Sequence, residues 1–434
     1  MACRSFNISH LALPVVTALI SFLAYTSQLF FYYFDEAPLT SKETWWLNIF
    51  ASCIWVCYYR SCTVDPGHTP KNWMPLDRKQ LEEDCASGRQ RWCRRCEAFK
   101  PPRAHHCKTC QRCIPKMDHH CPWTSNCVSH FTFPHFLRFL FYTVVGMGYL
   151  ETLLFERASI IWASRHLPSY LGPSLVQLAH LFILLVVNSL TLFALAILLV
   201  RSIWSLALNT TTIESWEIER HETLLRRARH FGGYLSGPGG IQIRIQKQEF
   251  PYDIGIWSNI KAGMGGSANI LSWFWPFAAT PDRSTGLDFE VNGFEDSNVS
   301  WPPPDPDRIP FPAKQRNLDA AIKAADASYY RAVEARNSQK IKDANDAQVN
   351  RGIHRRKRFH ERFDQNRKED GDLSSDSEAS GSRTSQNGEE GWRNSEGERL
   401  RDFGVDEDVE FYDEDDIPLG ILIKRRQQKA SQTE

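Results

Sequence analysis

Hydrophobic residues are concentrated in the first half of the chain, where they form four long runs. The runs are Leu11 to Phe34, Trp45 to Tyr59, Phe139 to Phe155 and Val176 to Val200. The first and last contain no Asp, Glu, Lys or Arg, and the third contains only Glu151. Because roughly 20 apolar residues cross the hydrocarbon core of a bilayer, the pattern predicts four transmembrane helices. The alternative, buried helices of a large soluble core, fits runs of this length less well.

The basic residues of the loops predict how these helices are oriented. Residues 65–138, between the second and third runs, hold 13 Lys and Arg. The other two loops hold one each, Lys42 within 35–44 and Arg165 within 163–174. Lys and Arg accumulate in cytosolic loops. We therefore expect the long central loop and both termini on the cytosolic side.

Overall composition hides this organisation. The mean hydropathy of −0.40 would by itself suggest a soluble protein. That average is misleading, because a polar C-terminal half dilutes an apolar N-terminal half. Lys and Arg (51) balance Asp and Glu (51), and we expect no nucleic-acid partner.

Seven of the 12 cysteines lie between Cys93 and Cys127, in the predicted cytosolic loop. Cytosolic proteins seldom keep disulfides, so this cluster indicates metal binding or catalysis. Paired C-x2-C units suit a tetrahedral zinc site, because a short turn brings both thiolates to one ion. Eight ligands would fill two closed sites, and six cysteines with two histidines supply them. The six cysteines are Cys93, Cys96, Cys107, Cys110, Cys113 and Cys127.

Cys121 is then left over and is a candidate nucleophile. In "DHHCPWTSNC" (118–127), Asp118 could orient His119, and His119 could take the proton of the thiol. A free thiol with a pKa of about 8.5 is only slightly ionised at pH 7, and a nearby base would raise the thiolate fraction. The alternative is a purely structural zinc knuckle, which would make the protein a non-catalytic, zinc-stapled membrane adaptor.

Two stretches together resemble the cysteine-rich domain of the DHHC protein S-acyltransferases (palmitoyltransferases). They are "CRRC" (93–96) and "PPRAHHCKTCQRCIPKMDHHCPWTSNCV" (101–128). The four predicted helices agree with that family. The exit sequence "TTIESWE" (211–217), the long tail and the Asp-rich terminus resemble its fungal endoplasmic-reticulum branch. The resemblance therefore implies an endoplasmic-reticulum membrane protein, with the Golgi membrane as the alternative.

The resemblance also implies how the ligands are divided between two structural Zn²⁺ ions. One ion would take Cys93, Cys96, His106 and Cys113, and the other Cys107, Cys110, His120 and Cys127. Asp118, His119 and Cys121 remain as the implied catalytic group. The implied reaction moves a long-chain acyl group from acyl-CoA (palmitoyl-CoA) to Cys121, then to a cysteine of a membrane-associated client protein.

Five further residues are candidates for substrate contacts. By resemblance, Lys100, Arg103 and His105 would hold the phosphates of CoA; the alternative is a solvated basic loop near anionic headgroups. Trp123 would shape the wall beside the nucleophile. Gly146 would leave room for a long acyl chain, although small residues also serve helix packing.

Two shorter family motifs directly follow the second and fourth predicted helices, and we interpret both as docking elements. They are "DPG" (65–67) and "TTIE" (211–214).

The predicted fold class is an all-α polytopic membrane protein with four transmembrane helices, a cytosolic zinc-stapled domain and a partly disordered tail. The predicted divisions are 1–64 (helices one and two), 65–138 (cysteine-rich domain), 139–208 (helices three and four), 209–310 (membrane-docking region) and 311–434 (charged helix, then acidic tail disordered from about Gly371).

Overall fold

The computed structural model describes residues 9–34, 36–73, 92–166, 172–237, 242–293, 301, 305–306 and 392–406. All of them belong to one compact unit, made of Met1–Pro310 and Trp392–Glu434. The predicted charged helix after residue 311 lies outside the described residues, and so does most of the predicted disordered tail.

Long helices form the bundle. They are α1 (Ser9–Ser21) and α2 (Ser27–Tyr32), joined by a π-helical turn (Phe22–Thr26), then α3 (Ser41–Thr63), α4 (Phe133–Ala163) and α5 (Leu175–Ala207). Helix α4 packs against both α3 and α5. Capping boxes begin two of them, Thr40 with Glu43 at α3 and Ser174 with Gln177 at α5, so the backbone N–H groups of these four residues are satisfied.

Three stretches of the described chain are long and apolar enough to cross a membrane: Leu11–Tyr32, Phe133–Ala163 and Leu175–Ala207. Helix α3, the second predicted span, has 23 residues but is not among the three. Its Trp and Tyr side chains, Asn48 and Arg60 make it less apolar than its neighbours. The fourth span therefore stays a prediction.

The outer face of α5 exposes large apolar side chains. Phe182, Leu190 and Phe193 are each 67–69% exposed, and Ile197 and Val200 follow on the same helix. Soluble proteins rarely expose so continuous an apolar surface, whereas a helix in contact with lipid requires one. The bundle is thus suited to a bilayer.

The cysteine-rich loop, here called the finger (residues 92–128), consists of three short β-hairpins. The strand pairs are β1 (Trp92–Cys93) with β2 (Ala98–Phe99), β3 (His105–Cys107) with β4 (Arg112–Ile114), and β5 (His119–Cys121) with β6 (Asn126–Val128). The predicted all-α class is therefore wrong for the finger, although the described chain is mostly helical. Strands of two or three residues are too short to give a visible alternation of apolar and polar positions.

Polar contacts fix the finger to the end of α3. The side-chain amide of Asn126 donates to the carbonyl oxygens of Ser61 and Val64, at 3.0 and 2.8 Å. In the "DPG" motif, Asp65 forms ion pairs with Arg112 at 2.8 Å and with Arg283 at 3.0 Å. This motif lies between helix and finger, as its predicted docking role requires.

The region after α5 returns to the bundle and the finger. Its elements are α6 (Thr212–Arg229), β7 (Tyr234–Ser236) paired with β8 (Gln242–Arg244), α7 (Ile256–Gly263), α8 (Ile270–Phe274) and a 3-10 turn (Arg283–Gly286). Asn259 donates to the carbonyl of Ala207 at 2.7 Å and accepts from the backbone of Ile254 at 3.1 Å. These bonds hold α7 against the C-terminal end of α5.

Residues 392–406 also pack against the finger, through a 3-10 turn at Leu400–Phe403. Leu400, Phe403 and Val405 are buried there. The prediction of disorder from about Gly371 onward is therefore wrong for these residues. The scattered apolar residues of this stretch show no periodicity of their own, but they gain burial from a distant partner.

Candidate active site and metal-binding clusters

The structure brings the eight predicted ligands together in two groups of four. The first group is Cys93, Cys96, His106 and Cys113, and the second is Cys107, Cys110, His120 and Cys127. Within each group the donor atoms lie within 4.8 Å of one another. These are the two sets that the resemblance implied.

Distances within both groups suit a tetrahedral zinc site. The Nδ1 atom of His106 lies 3.3, 3.3 and 3.8 Å from the Sγ atoms of Cys93, Cys96 and Cys113. The Nδ1 atom of His120 lies 3.6, 3.5 and 3.5 Å from those of Cys107, Cys110 and Cys127. Zn–S and Zn–N bonds of about 2.3 and 2.0 Å at tetrahedral angles would separate the donors by about 3.5 Å. Both clusters could therefore hold zinc, each through four protein ligands.

Hairpin register explains why the two clusters interleave. His106 pairs with Cys113 across β3 and β4, so their side chains lie together and complete the first cluster. Cys107 is the next residue along β3, and with Cys110 in the turn it begins the second cluster. Successive side chains of a strand point to opposite faces. One hairpin therefore contributes to both clusters.

Cys121 belongs to neither cluster and is the only such cysteine among the described residues of the finger. It ends β5, and its side chain is buried among residues of the bundle that include Phe136 and Leu140. His119 lies two residues before Cys121, and its Nδ1 atom is 2.9 Å from Oδ2 of Asp118. The structure thus places the predicted catalytic group together at the junction of finger and bundle.

Hydrogen bonds within this group favour a charged Cys121–His119 pair. Burial lowers the pKa of His119, but its hydrogen bonds with Asp118 and Cys121 raise the pKa to about 10. Burial raises the pKa of the Cys121 thiol, but the hydrogen bond and positive charge of His119 outweigh it and lower the pKa. A thiolate beside an imidazolium is the reactive form of a cysteine nucleophile.

The N-terminus of α6 holds Asp118 in place. The backbone N–H of Thr212 donates to Oδ1 of Asp118 at 2.6 Å, which leaves Oδ2 for His119. A helix N-terminus stabilises a carboxylate. Burial raises the pKa of Asp118, but these hydrogen bonds and the charge of His119 lower it overall. The "TTIE" motif, which starts α6, therefore contacts the site directly.

Arg103, a predicted contact for a CoA phosphate, forms a buried ion pair within the protein. Its guanidinium donates to both carboxylate oxygens of Glu214, at 2.6 and 2.7 Å, and to the carbonyl and side chain of Asn209. Both side chains of the ion pair are almost fully buried. The guanidinium therefore joins the finger to α6, and a contact of Arg103 with a CoA phosphate stays a prediction.

The other predicted contacts differ in their exposure. Lys100 and His105 are buried, at 4% and 3% exposed, so neither lies open to an incoming phosphate. Trp123 is 56% exposed, and its carbonyl oxygen accepts from the Tyr58 hydroxyl at 3.0 Å. Only Trp123 of these three is accessible beside Cys121.

A cavity of about 740 Å³ extends from Cys121 into the bundle. Ligand pockets typically enclose about 300–1,000 Å³. Its wall along α4 runs from Phe133 to Leu150, which is about 26 Å of helix at 1.5 Å per residue. Gly146 borders the cavity, and an added Cβ there would lie 3.1 Å from Cβ of Phe50 and 3.2 Å from Cδ1 of Ile54. Both predicted roles of Gly146, cavity space and helix packing, therefore have a structural basis.

Lys116 is a neighbour of the site that the sequence analysis missed. Its Nζ donates to Oδ1 of Asn209 at 2.7 Å, and it lines a small cavity with Asp118 and His130. Burial, followed by the charge of Arg103, lowers the pKa of Lys116 to about 7. Its position two residues before Asp118 was the only available sequence signal, because Asn209 is distant along the chain.

Sequence comparisons match this chain to one family model and to named fungal relatives. A model of the DHHC palmitoyltransferase family matches residues 86–219. Palmitoyltransferase pfa4 of Aspergillus fumigatus is 79% identical, covering 99% of this chain and 100% of its own length. Palmitoyltransferase pfa4 of Emericella nidulans is 66% identical, covering 98% of each chain. Palmitoyltransferase PFA4 of Gibberella zeae is 41% identical, covering 96% of each chain.

Proposed function

Because the chain belongs to the DHHC palmitoyltransferase family and is a protein S-palmitoyltransferase, we propose that Cys121 carries the acyl group during transfer. One observation supports this most strongly: Cys121 borders the apolar cavity, next to the Asp118–His119 pair and outside both metal-binding clusters. A non-catalytic adaptor would need neither the cavity nor the free thiol.

In the first step, the Cys121 thiolate attacks the carbonyl carbon of an acyl-CoA thioester. A new thioester forms on Cys121, the bond to the CoA sulfur breaks, and the His119 imidazolium donates its proton to that sulfur. In the second step, a client thiol attacks the acyl-enzyme and gives its proton to neutral His119. Cys121 leaves as a thiolate, which restores the starting pair.

Zinc would act as a scaffold in this proposal. Each cluster supplies four protein ligands, so no coordination position is left for a substrate. His120 joins the second cluster and lies between His119 and Cys121 in β5. Metal binding would therefore fix the strand that carries the reacting side chains.

The acyl chain would occupy the cavity, with its thioester at Cys121 and its methyl end toward Leu150. Trp123 would lie at the mouth, on the side where a client approaches. The CoA phosphates would bind on the cytosolic surface. Among the predicted phosphate contacts, the proposal omits Arg103 because Glu214 occupies it, and the burial of Lys100 and His105 does not favour them.

The proposal places the protein in the endoplasmic-reticulum membrane, with the Golgi membrane as the alternative. In this proposal the protein has four transmembrane helices. Both termini lie in the cytosol, because Lys and Arg are concentrated in residues 65–138, between the second and third helices. Clients would be membrane-associated proteins with cytosolic cysteines, since the thiol of Cys121 lies at the junction of finger and bundle.

The direct test is to map the acyl group on purified wild-type protein after incubation with a clickable palmitoyl-CoA. We expect a hydroxylamine-sensitive label, and peptide mass spectrometry should place it on Cys121. A label confined to other cysteines, or no label on active enzyme, would contradict the proposed intermediate.

Gly146→Phe should shorten the acyl chains that the enzyme prefers, because the new ring would fill part of the cavity. The expected result is a fall of at least roughly tenfold in the C18-to-C14 acyl-CoA preference, since even one misplaced methylene in an apolar pocket costs about 1–3 kcal/mol. The measurement is acyl-enzyme formation with a series of acyl-CoA lengths.

Gly148→Phe is the matched control on the same helix. An added Cβ at Gly148 has no neighbour within 4 Å, and this residue does not border the cavity. If Gly146→Phe reduces all chain lengths equally and lowers thermal stability, then Gly146 serves packing alone and the cavity role is wrong.

A further inference from the structure

Residues 392–406, here called the strap, form backbone hydrogen bonds with the edge of the finger. The N–H of Lys108 donates to the carbonyl of Gly404 at 2.9 Å, and the N–H of Asp406 donates to the carbonyl of His106 at 3.0 Å. Val405 and Cys107 are antiparallel bridge partners. The strap thus pairs with the edge of the β3–β4 hairpin through one antiparallel bridge, beside ligands of both metal clusters.

Apolar packing holds the strap on the finger and on α6. Leu400, Phe403 and Val405 are at most 7% exposed and belong to one buried cluster. The other members of that cluster are Cys107, Ile114, Met117, Cys127, Ile213 and Trp216. Because the cluster joins the strap, finger and α6, its apolar surface is covered only when the strap is docked.

At Gly404 the strap approaches the back of the catalytic strand. Gly404 has φ of +82°, and a Cβ added there would lie 2.7 Å from Cβ of His120. His120 lies between His119 and Cys121 in β5. The absence of a side chain at Gly404 therefore sets how closely the strap supports these two reacting residues.

The strap also reaches the first hairpin and the wall of the cavity. Asp406, which is 3% exposed, pairs with Arg95 at 3.0 Å, between the first two cysteine ligands. Glu398, Asp402 and Phe403 border the same cavity as Cys121. One segment therefore contacts all three hairpins of the finger and part of the cavity wall.

From these contacts we propose that the strap is a positioning element for acyl transfer, which acts through His120 to align His119 and Cys121. This inference rests on the proposed role of Cys121. The strap touches the back of β5 and not the reacting atoms, so its loss should slow formation of the acyl-enzyme without removing the nucleophile. Alignment matters because displacements near 1 Å can cost about a hundredfold in rate.

The test is Gly404→Ala in the full-length protein, with Gly397→Ala as the matched control. Both glycines belong to the strap and have left-handed φ values, +82° and +81°. An added Cβ meets His120 at Gly404 but meets nothing within 4 Å at Gly397. Both variants therefore carry the backbone cost of replacing a glycine with positive φ, and only Gly404→Ala adds a contact with His120.

For Gly404→Ala we expect kcat of acyl-enzyme formation to fall roughly ten- to a hundredfold, with KM for palmitoyl-CoA and zinc content unchanged. Alkylation of Cys121 by iodoacetamide, followed by peptide mass spectrometry, should slow by a similar factor. A merely structural role would have the opposite effect, because an opened finger exposes Cys121 and speeds its alkylation.

A second variant tests the same proposal if the Gly404→Ala protein fails to fold. Leu400→Ala should loosen the strap from a position that does not border the cavity, giving a smaller fall in kcat, and Leu400→Met should restore it. Equal kcat for the Gly404→Ala and Gly397→Ala proteins would overturn the inference, as would faster alkylation in either loosened variant. A wild-type protein that is not acylated on Cys121 would instead refute the proposed function.

Discussion

Cys121→Ser should reduce the acyl label on the purified protein to background, a fall of roughly a thousandfold or more. A serine hydroxyl stays protonated beside His119, whereas the pKa of the Cys121 thiol is lowered by the hydrogen bond and charge of His119 despite burial. The change replaces one atom, so the packing around residue 121 is nearly unchanged. The measurement is in-gel fluorescence after incubation with clickable palmitoyl-CoA, with and without hydroxylamine.

Cys62→Ser is the matched control for this experiment. Cys62 is partly buried against the same apolar cluster as Cys121 and lies outside both metal clusters. The Cys62→Ser protein should keep the wild-type label. A Cys121→Ser protein that keeps a hydroxylamine-sensitive label would show that another thiol carries the acyl group.

Much of the site could be predicted because its donors are adjacent in sequence. The C-x2-C pairs and the Asp118–His119–Cys121 arrangement each occupy a few residues, so spacing alone indicates their chemistry. The division of ligands between two ions depends on hairpin register, which places His106 opposite Cys113. Strands this short have no clear sequence signal, so the division came only from the family resemblance.

Arg103 shows a contact that local sequence reasoning could not predict. A basic residue in a cysteine-rich loop is compatible with phosphate binding or with an ion pair. The ion pair could not be predicted, because its partner Glu214 is 111 residues away in sequence and is buried with Arg103. The strap is a similar case, since Phe403 and Val405 are isolated apolar residues in a polar tail until they meet the finger. Both examples require tertiary contacts that composition and periodicity do not contain.

Replacing the metal ligand His120 should have the second large effect, a loss of zinc and of stability. In the His120→Ala protein we expect the zinc content to fall from two ions per chain to about one, because the second cluster loses its nitrogen ligand. Zinc binding contributes about 10–16 kcal/mol to the folding of small zinc domains, so the second and third hairpins should lose their structure. Elemental analysis would measure the metal, and thermal unfolding would measure the stability. Acyl-enzyme formation should fall to background.

His119→Ala is the matched control, because it changes the adjacent residue of the same strand. Its side chain points to Asp118 and not to a metal cluster, so both ions and the thermal stability should be retained. Acyl-enzyme formation should still fall by roughly 10²–10⁴-fold, the usual contribution of a positioned acid and base. Loss of metal from the His119→Ala protein, or two ions retained by His120→Ala, would contradict the assignment of one histidine to chemistry and its neighbour to structure.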